Sequence, residues 1–382
     1  MEQAYQISSH PENSRDWRSI LQLARNLEAS DVHWSTGEVP WLRIDGKLHR
    51  LSTMKGVTSS APGAAVQALH AQDVQAIRED LLLGNPLRKQ VQHNNLDFAV
   101  TLPNLGRVRV NAFEQARGPA LAVRLIAAHV PTLESLQAPS CVASWGLQRH
   151  GLVLITGPTG SGKSTLLAAL LHHINTHRAA HILTLEDPIE FVHHSQQSLV
   201  HQREIGRDTP DFASGLRAGL REDPDVLLVG ELRDSASIRL ALSAAETGHL
   251  VLSTLHTNSA PMAIDRMVDA FPSHEREGVR ALLSETLLAV LTQTLCPRIS
   301  GQGRVAAHEI MVATPAVRNL LREGKVNQLY ALLQTGQAAG MQTLDQSLLR
   351  LQQRQEISGK TMEVLRKYPQ NSKLMDNHVS ES

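Results

Sequence analysis

Gly157-Pro158-Thr159-Gly160-Ser161-Gly162-Lys163-Ser164-Thr165 follows the apolar run Leu152-Val153-Leu154-Ile155 and precedes Leu166-Leu167-Ala168-Ala169-Leu170-Leu171. The order is that of a strand, a glycine-rich loop and a helix. Glycines at 157, 160 and 162 let the backbone curl so that successive N–H groups and the positive end of the helix face a polyphosphate. Lys163 then reaches the β/γ-phosphates, and the Ser164 hydroxyl binds Mg²⁺. A bare glycine-rich turn would say little. The complete spacing in its strand, loop and helix setting marks a nucleotide site, and the chain reads as an NTPase.

Apolar runs at 152–155, 181–185, 226–229 and 250–253 alternate with helical stretches. Runs without polar alternation belong to a mostly parallel sheet covered on both faces. The expectation is an α/β nucleotide-binding core over 141–312. Within it a long, largely apolar helix is expected from Glu275 to Leu295, ending before Pro297, and then a strand from Arg304 to Ile310. Residues 313–368 read as a helical extension, in which Thr314-Pro315 supplies an N-cap and a proline at the first helical position, and Gly324 follows that helix's end. The polar stretch 369–382 reads as a disordered tail.

On the N-terminal side, a frayed polar segment at 1–15 precedes Trp17, Ile20, Leu21, Ala24 and Leu27, whose spacing predicts a helix over 16–29. Strands are expected at 32–34, 41–44 and 47–51, the last two joined by Asp45-Gly46, a hairpin signal. A break at 52–63 leads to helices at 64–80 and 86–93. Strands at 96–100, 108–113 and 121–126, joined by Asn104-Leu105-Gly106 and Gly118-Pro119, describe an antiparallel meander. This is an α+β domain over 1–130, with 131–140 as linker.

Composition narrows the setting. Lys plus Arg and Asp plus Glu both number 37, so no global basic field points to nucleic acid, and none is expected as a partner. No apolar run approaches the roughly 20 residues that cross a bilayer, and an N-terminus with Glu2 and no apolar core does not read as a secretory signal. A cytoplasmic protein is expected. The isolated Cys141 and Cys296 exclude a four-cysteine zinc site within one chain and read as buried small apolar residues.

Hydrolysis needs a placed metal, an oriented water and compensation for phosphoryl charge. Thr184-Leu185-Glu186-Asp187-Pro188-Ile189-Glu190 sets three carboxylates just past a strand, and Glu186 is the candidate to polarise the attacking water. Asp225 to Asp234 resembles a Walker B strand with Gly230-Glu231 at its end, so Glu231 is the candidate to act on Mg²⁺. Thr247-Gly248-His249 and Leu255-His256-Thr257 bracket another strand. Those histidines either sense the γ-phosphate, link neighbouring subunits, or belong with the ordinary majority of the chain's 19. Arg107, Arg109, Arg117 and Arg124 lie on or between two neighbouring strands of the first domain. They read as exposed strand arginines singly and as a phosphate clamp collectively.

The segments 157–165, 185–191, 220–225, 229–234 and 247–257 together resemble the Walker A, Asp box, Walker B and His box of the type II/IV secretion ATPases. Within that superfamily the chain is similar to the type IV pilus retraction ATPases, the PilT family, over roughly residues 18–350. Ala316-Val317-Arg318-Asn319-Leu320-Leu321-Arg322-Glu323 resembles the C-terminal retraction signature. The long N-terminal extension and four-cysteine motif of the assembly ATPases are lacking.

The resemblance implies a PAS-like first domain, a RecA-like ATPase core and a homohexameric ring that binds ATP and Mg²⁺ at residues 157–165. Glu186 would be the catalytic carboxylate, Glu231 the Walker B glutamate, and His249 and His256 the His-box pair. Arg109 and Arg124 would contribute to phosphate binding. The implied partner is an inner-membrane pilus platform protein, with a peripheral location at that membrane. An accessory, PilU-like retraction ATPase working beside a paralogue, a nucleotide-binding ring component and a secretion or conjugation pilus motor are the alternatives. The helix at 314–323 is a candidate coupling element, a role for which an amphipathic packing helix is an equal reading.

Overall fold

The computed structural model describes residues 16–44, 46–54, 67–83, 95–126 and 130–366. The expectations for 1–15, Asp45, the helix at 86–93 and the tail lie outside the described residues, as do most of the break at 52–63 and the start of the helix at 64–80. The chain forms two compact units. One takes the described residues up to Val130 with Asp187–Val192 and Glu204–Asp208, and the other takes the remainder.

In the first unit α1 (Trp17–Asn26) starts where the Asp16 carboxylate accepts a hydrogen bond from the Ser19 N–H, and it buries Trp17, Ile20, Leu21, Leu23 and Ala24 on one face. Strands β1 (Asp31–Ser35), β2 (Trp41–Ile44) and β3 (Lys47–Arg50) precede α2 (Ala71–Leu81), which opens on a capping box between His70 and Asp73. The meander β4 (Asn95–Leu102), β5 (Gly106–Gln115) and β6 (Gly118–Leu125) forms, and the sheet runs β3-β2-β1-β6-β5-β4 with antiparallel neighbours. Along β5 the buried Val108, Val110 and Ala112 alternate with Arg107, Arg109 and Asn111. Period-2 alternation thus sends the apolar side chains to a core around Trp34, Leu42 and Phe98 and the arginines to the opposite face.

The second unit contains α3 (Ser140–Gly146), β7 (Gly151–Thr156), α4 (Lys163–His177), β8 (His181–Glu186), β9 (Leu199–Glu204, all but its last residue), α5 (Phe212–Gly219), β10 (Val226–Val229), α6 (Ser235–Glu246), β11 (Leu250–Leu255), α7 (Ala260–Asp269) and α8 (Arg276–Thr286). These are followed by β12 (Leu287–Pro297), β13 (Arg304–Val312), α9 (Pro315–Arg322), α10 (Leu329–Thr335), α11 (Leu344–Gln353) and α12 (Gly359–Leu365). The sheet order is β13-β12-β7-β11-β10-β8-β9, with β12, β7, β11, β10 and β8 parallel and β13 antiparallel to β12. Alternate residues of each strand go to opposite cores: Leu152, Leu154, Leu227 and Val251 pack with α6 to α10, while Val153, Ile155, Leu228 and Leu252 pack with α3 and α4. At roughly 1.5–3 kcal/mol for each fully buried large aliphatic side chain, this double covering is the main force holding the sheet.

One expected element is corrected. The helix from Glu275 to Leu295 stops at Thr286, and Leu287–Pro297 is a strand that pairs with β7 on one side and β13 on the other. A strand buried on both faces carries no polar alternation, so its apolar run looks like a buried helix; Val290, Thr292 and Thr294 were the β-branched clue. Thr314 caps α9 by accepting from the Val317 N–H, with Pro315 at its first position, and Gly324 adopts φ +71° after its end. Cys296 is buried, whereas Cys141 is only half-buried.

Candidate nucleotide site

Parallel pairing brings the C-terminal ends of five strands to one edge of the sheet. Thr156 of β7 is level with Leu255 of β11 and Thr292 of β12, and Val229 of β10 is level with Ser253 of β11 and Leu185 of β8. The loop starting at Gly157, His256, Gly230-Glu231 and Glu186 all lie at or just past these ends. Residues scattered over a hundred positions thereby share the edge where α/β sheets bind ligands.

The loop from Gly157 to Gly162 joins β7 directly to α4. Gly157, Gly160 and Gly162 have φ of +140°, +78° and +85°, a region that L side chains resist. The Lys163 ammonium is buried and donates to the carbonyls of Gly157 at 2.8 Å and Pro158 at 2.9 Å. Pro158, Thr159, Gly160 and Ser164 are exposed and Thr165 is half-buried. This is a curled backbone with a fixed cation beneath it and hydroxyls at its rim.

Around the loop stand the two acids and one histidine. Glu186 Oε1 accepts from Thr184 Oγ1 at 2.7 Å and from Gln202 Nε2 at 3.0 Å, which fixes the carboxylate in place. Glu231 is ion-paired with Arg233, and its Oε2 lies 3.5 Å from His256 Nε2. The other His256 nitrogen is 3.5 Å from the Lys163 ammonium. Burial, and then the Lys163 charge, push the His256 pKa below its ordinary 6.5, against the pull of Glu231. Gly230 explains why a lone glutamate stands here: a Cβ at that position would meet the Leu185 carbonyl at 3.2 Å and the Glu186 Cα at 3.5 Å.

His249 is not brought to this edge. It precedes the six-residue β11 while His256 follows it, so within one chain the two are separated by a strand of about 20 Å. Its Nδ1 lies 3.0 Å from the Ala244 carbonyl, and its own carbonyl accepts from the Gly151 N–H at the start of β7. Within one chain, then, His256 alone of the two lies at the edge that carries the loop. The arginines belong to the first unit. Arg109 pairs with Asp97 at 2.6 Å and with Glu190 at 3.7 Å, Arg124 with Asp31 at 3.0 Å, and Arg117 with Glu38 at 3.0 Å. Arg109 and Arg124 face each other across β5 and β6 in register.

Sequence reading missed Gln293. Its side chain donates to the Ser161 carbonyl at 2.6 Å, and its Oε1 lies 3.0 Å from Nε2 of the buried His308. No motif marks either residue. The signal was tertiary, because Gln293 reaches the loop only when 287–297 is a strand beside β7.

A phosphate loop on the carboxyl edge of a parallel sheet defines a P-loop nucleotide-binding protein. The chain belongs to the type II/IV secretion system protein family, whose model matches residues 14–366. It is 47% identical over 356 residues to the type IV pilus retraction ATPase PilT of Pseudomonas aeruginosa, covering 93% of this chain and 99% of that one. It is 52% identical over 329 residues to the uncharacterized protein YggR of Escherichia coli, covering 86% and 95%. The solved structure of the pilus retraction motor PilT with bound ADP is 40% identical, spans 92% of this chain and 96% of its own, and superposes with a TM-score of 0.80.

Proposed function

We propose that the chain is a Mg²⁺-dependent ATPase that works as a homohexamer and powers retraction of a type IV pilus. The observation that carries the ATPase reading is the convergence of the glycine loop, Lys163, Glu186, Glu231 and His256 on one sheet edge. The retraction reading rests on likeness to PilT over nearly the whole of both chains. In this reading the first unit is PAS-like, the second is RecA-like, and the platform protein of the pilus in the inner membrane receives the motion. Among the described residues no helix is long and apolar enough to cross a membrane. Peripheral attachment on the cytoplasmic side is the location that goes with the reading.

The residues fit the ligands. At Gly160 nothing lies within 4 Å of where a side chain would stand, and the exposed Ser164 hydroxyl with the nearby carboxylates is an oxygen donor set suited to a hard divalent cation. Mg²⁺ would be held by Ser164 with Glu231 as its acidic partner, and it supplies neutralisation of charge on the phosphate oxygens. The backbone N–H groups of 157–165 and the Lys163 ammonium bind and orient the polyphosphate. Glu186, held by Thr184 and Gln202, orients the attacking water and takes its proton, and His256 places a neutral ring between Lys163 and Glu231. Arg109 and Arg124 are the candidates for further cationic contacts to phosphate.

Replacing the wild-type gene by Lys163→Ala, with protein level checked, tests this. Excess surface fibres without twitching motility support a retraction motor. Bald cells make it an assembly motor, and unchanged cells make it an accessory ring component. Glu186→Gln should leave ADP binding intact and abolish turnover; normal turnover in the assembled ring would remove Glu186 from its role.

A further inference from the structure

Gln293 braces the phosphate loop with its backbone and its side chain together. Its carbonyl oxygen lies 2.3 Å from where a Cβ at Gly157 would stand, and its Nε2 lies 2.8 Å from the corresponding point at Gly162. Between those two glycines, the same Nε2 donates to the Ser161 carbonyl at 2.6 Å. A trans peptide holds its C=O and the following N–H on opposite sides. Fixing the Ser161 carbonyl on Gln293 therefore turns the Gly162 N–H away from Gln293.

The Ser161 carbonyl can only accept, so it takes the nitrogen end of the Gln293 amide and leaves Oε1 to face His308. Burial pushes its pKa down to about 4, so the ring is neutral at pH 7. Only the tautomer with its hydrogen on Nε2 can donate to Gln293 Oε1, 3.0 Å away. A donor on Oε1 reinforces that orientation of the amide. His308 is itself fixed: its N–H donates to Ser347 Oγ at 3.0 Å, and its carbonyl accepts from Gln342 Nε2 at 2.6 Å. Ser161, Gln293, His308, Gln342 and Ser347 are all buried, so none of these groups can turn to bulk water instead.

We propose that Gln293, with its amide steadied by His308, is a positioning residue of the nucleotide site that holds the Ser161–Gly162 peptide so that the Gly162 N–H donates to the bound polyphosphate. The proposal rests on the nucleotide-binding reading of the site and assigns two residues outside the recognised motifs to it. In Gln293→Leu the buried Ser161 carbonyl loses its donor and the peptide is free to rotate. In His308→Leu the buried Oε1 loses its donor, and the amide is held less firmly against Ser161.

The test uses the full-length protein, with mant-ADP binding and steady-state ATP hydrolysis as readouts. Gln293→Leu and the more nearly isosteric Gln293→Met are expected to weaken mant-ADP binding about ten-fold, the scale of one hydrogen bond to a charged ligand. The KM for ATP should rise by a similar factor while kcat changes less. The thermal midpoint without nucleotide should fall by a few degrees, because buried partners of Gln293 lose a hydrogen bond, and the further rise on adding ADP should shrink. His308→Leu should act in the same direction, His308→Gln should restore binding because its amide can donate to Oε1, and the Gln293→Leu/His308→Leu double should be no weaker than Gln293→Leu alone. Wild-type affinity in either Gln293 variant, or additive losses in the double, overturns the proposal. Failure of the unmodified protein to bind mant-ADP would instead overturn the nucleotide reading.

Discussion

His256 stands between opposite charges, with Nε2 3.5 Å from Glu231 Oε2 and Nδ1 3.5 Å from the Lys163 ammonium. A neutral ring with its hydrogen on Nε2 suits both neighbours at once, offering a donor to the carboxylate and a lone pair to the ammonium. The lowered pKa keeps it in that form at neutral pH. Acid removes the lone pair and sets a second cation against Lys163. The kcat/KM for ATP is therefore expected to fall on the acid side, with an inflection below 6.5. His256→Gln can bridge the same neighbours without titrating and should lose that limb while keeping part of the rate. An unchanged acid limb in His256→Gln would assign it to another group.

The three loop glycines are not equivalent, although each has a positive φ. At Gly157 a Cβ would lie 2.3 Å from the Gln293 carbonyl, a backbone atom that cannot move aside, and at Gly162 it would lie 2.8 Å from the Gln293 side chain. Gly160 has open space. Gly160→Ala should cost only the left-handed conformation, about 1 kcal/mol, and should retain measurable nucleotide binding. Gly157→Ala should abolish binding, with Gly162→Ala between them. Titration of all three with mant-ADP checks the order, and equal losses would mean that the glycines serve the ligand's approach alone.

The same contrast shows what the sequence could reveal. The placement of the loop, Glu186 and Glu231 at strand ends was legible because a phosphate-loop spacing and carboxylates directly after apolar runs mark such ends, and the apolar runs of β7, β8, β10 and β11 announced a sheet covered on both sides. Leu287–Pro297 was not, since an apolar run without alternation fits a buried helix equally well. Misreading it hid Gln293, whose partners lie 132 residues back and 15 ahead. The opposed placement of His249 and His256 was within reach of arithmetic on strand length, because six extended residues between them already put the two at opposite ends of β11.

Arg107 illustrates pairing that only the folded chain discloses. Its Nη2 lies 3.0 Å from Glu204 Oε2, with side chains 12% and 3% exposed, and its Nε donates to the Ile189 carbonyl at 2.7 Å. The Ile189 N–H donates in turn to Glu204 Oε2 at 3.2 Å. Within the first unit this clasp ties β5 to the short segments 187–192 and 204–208. Removing the cation strands a buried carboxylate, so Arg107→Leu should destabilise that unit by about 3–5 kcal/mol. The Arg107→Leu/Glu204→Met double should recover much of the loss. Urea unfolding followed by tryptophan fluorescence measures both. A single variant as stable as wild type would show that the clasp contributes little.

Arg318 and Arg322 lie one turn apart on α9 but have different work. Arg318 Nη1 donates to the Glu285 carbonyl at 2.8 Å and to that of Ser284, closing the last turn of α8, and burial lowers its pKa. Val317 and Leu321 on the same short helix are fully buried, while Arg322 is exposed. Arg318→Ala should therefore lower stability by about 1–2 kcal/mol, as two charge-assisted hydrogen bonds to a helix end are lost. Arg322→Ala should keep both stability and ATP turnover. If α9 couples hydrolysis to the fibre, its exposed face must carry the contact, and Arg322→Ala alone should stop fibre movement in cells whose ATPase is intact. Loss of turnover in Arg322→Ala, measured on the purified protein, would make α9 a packing helix on both faces and move the coupling surface elsewhere.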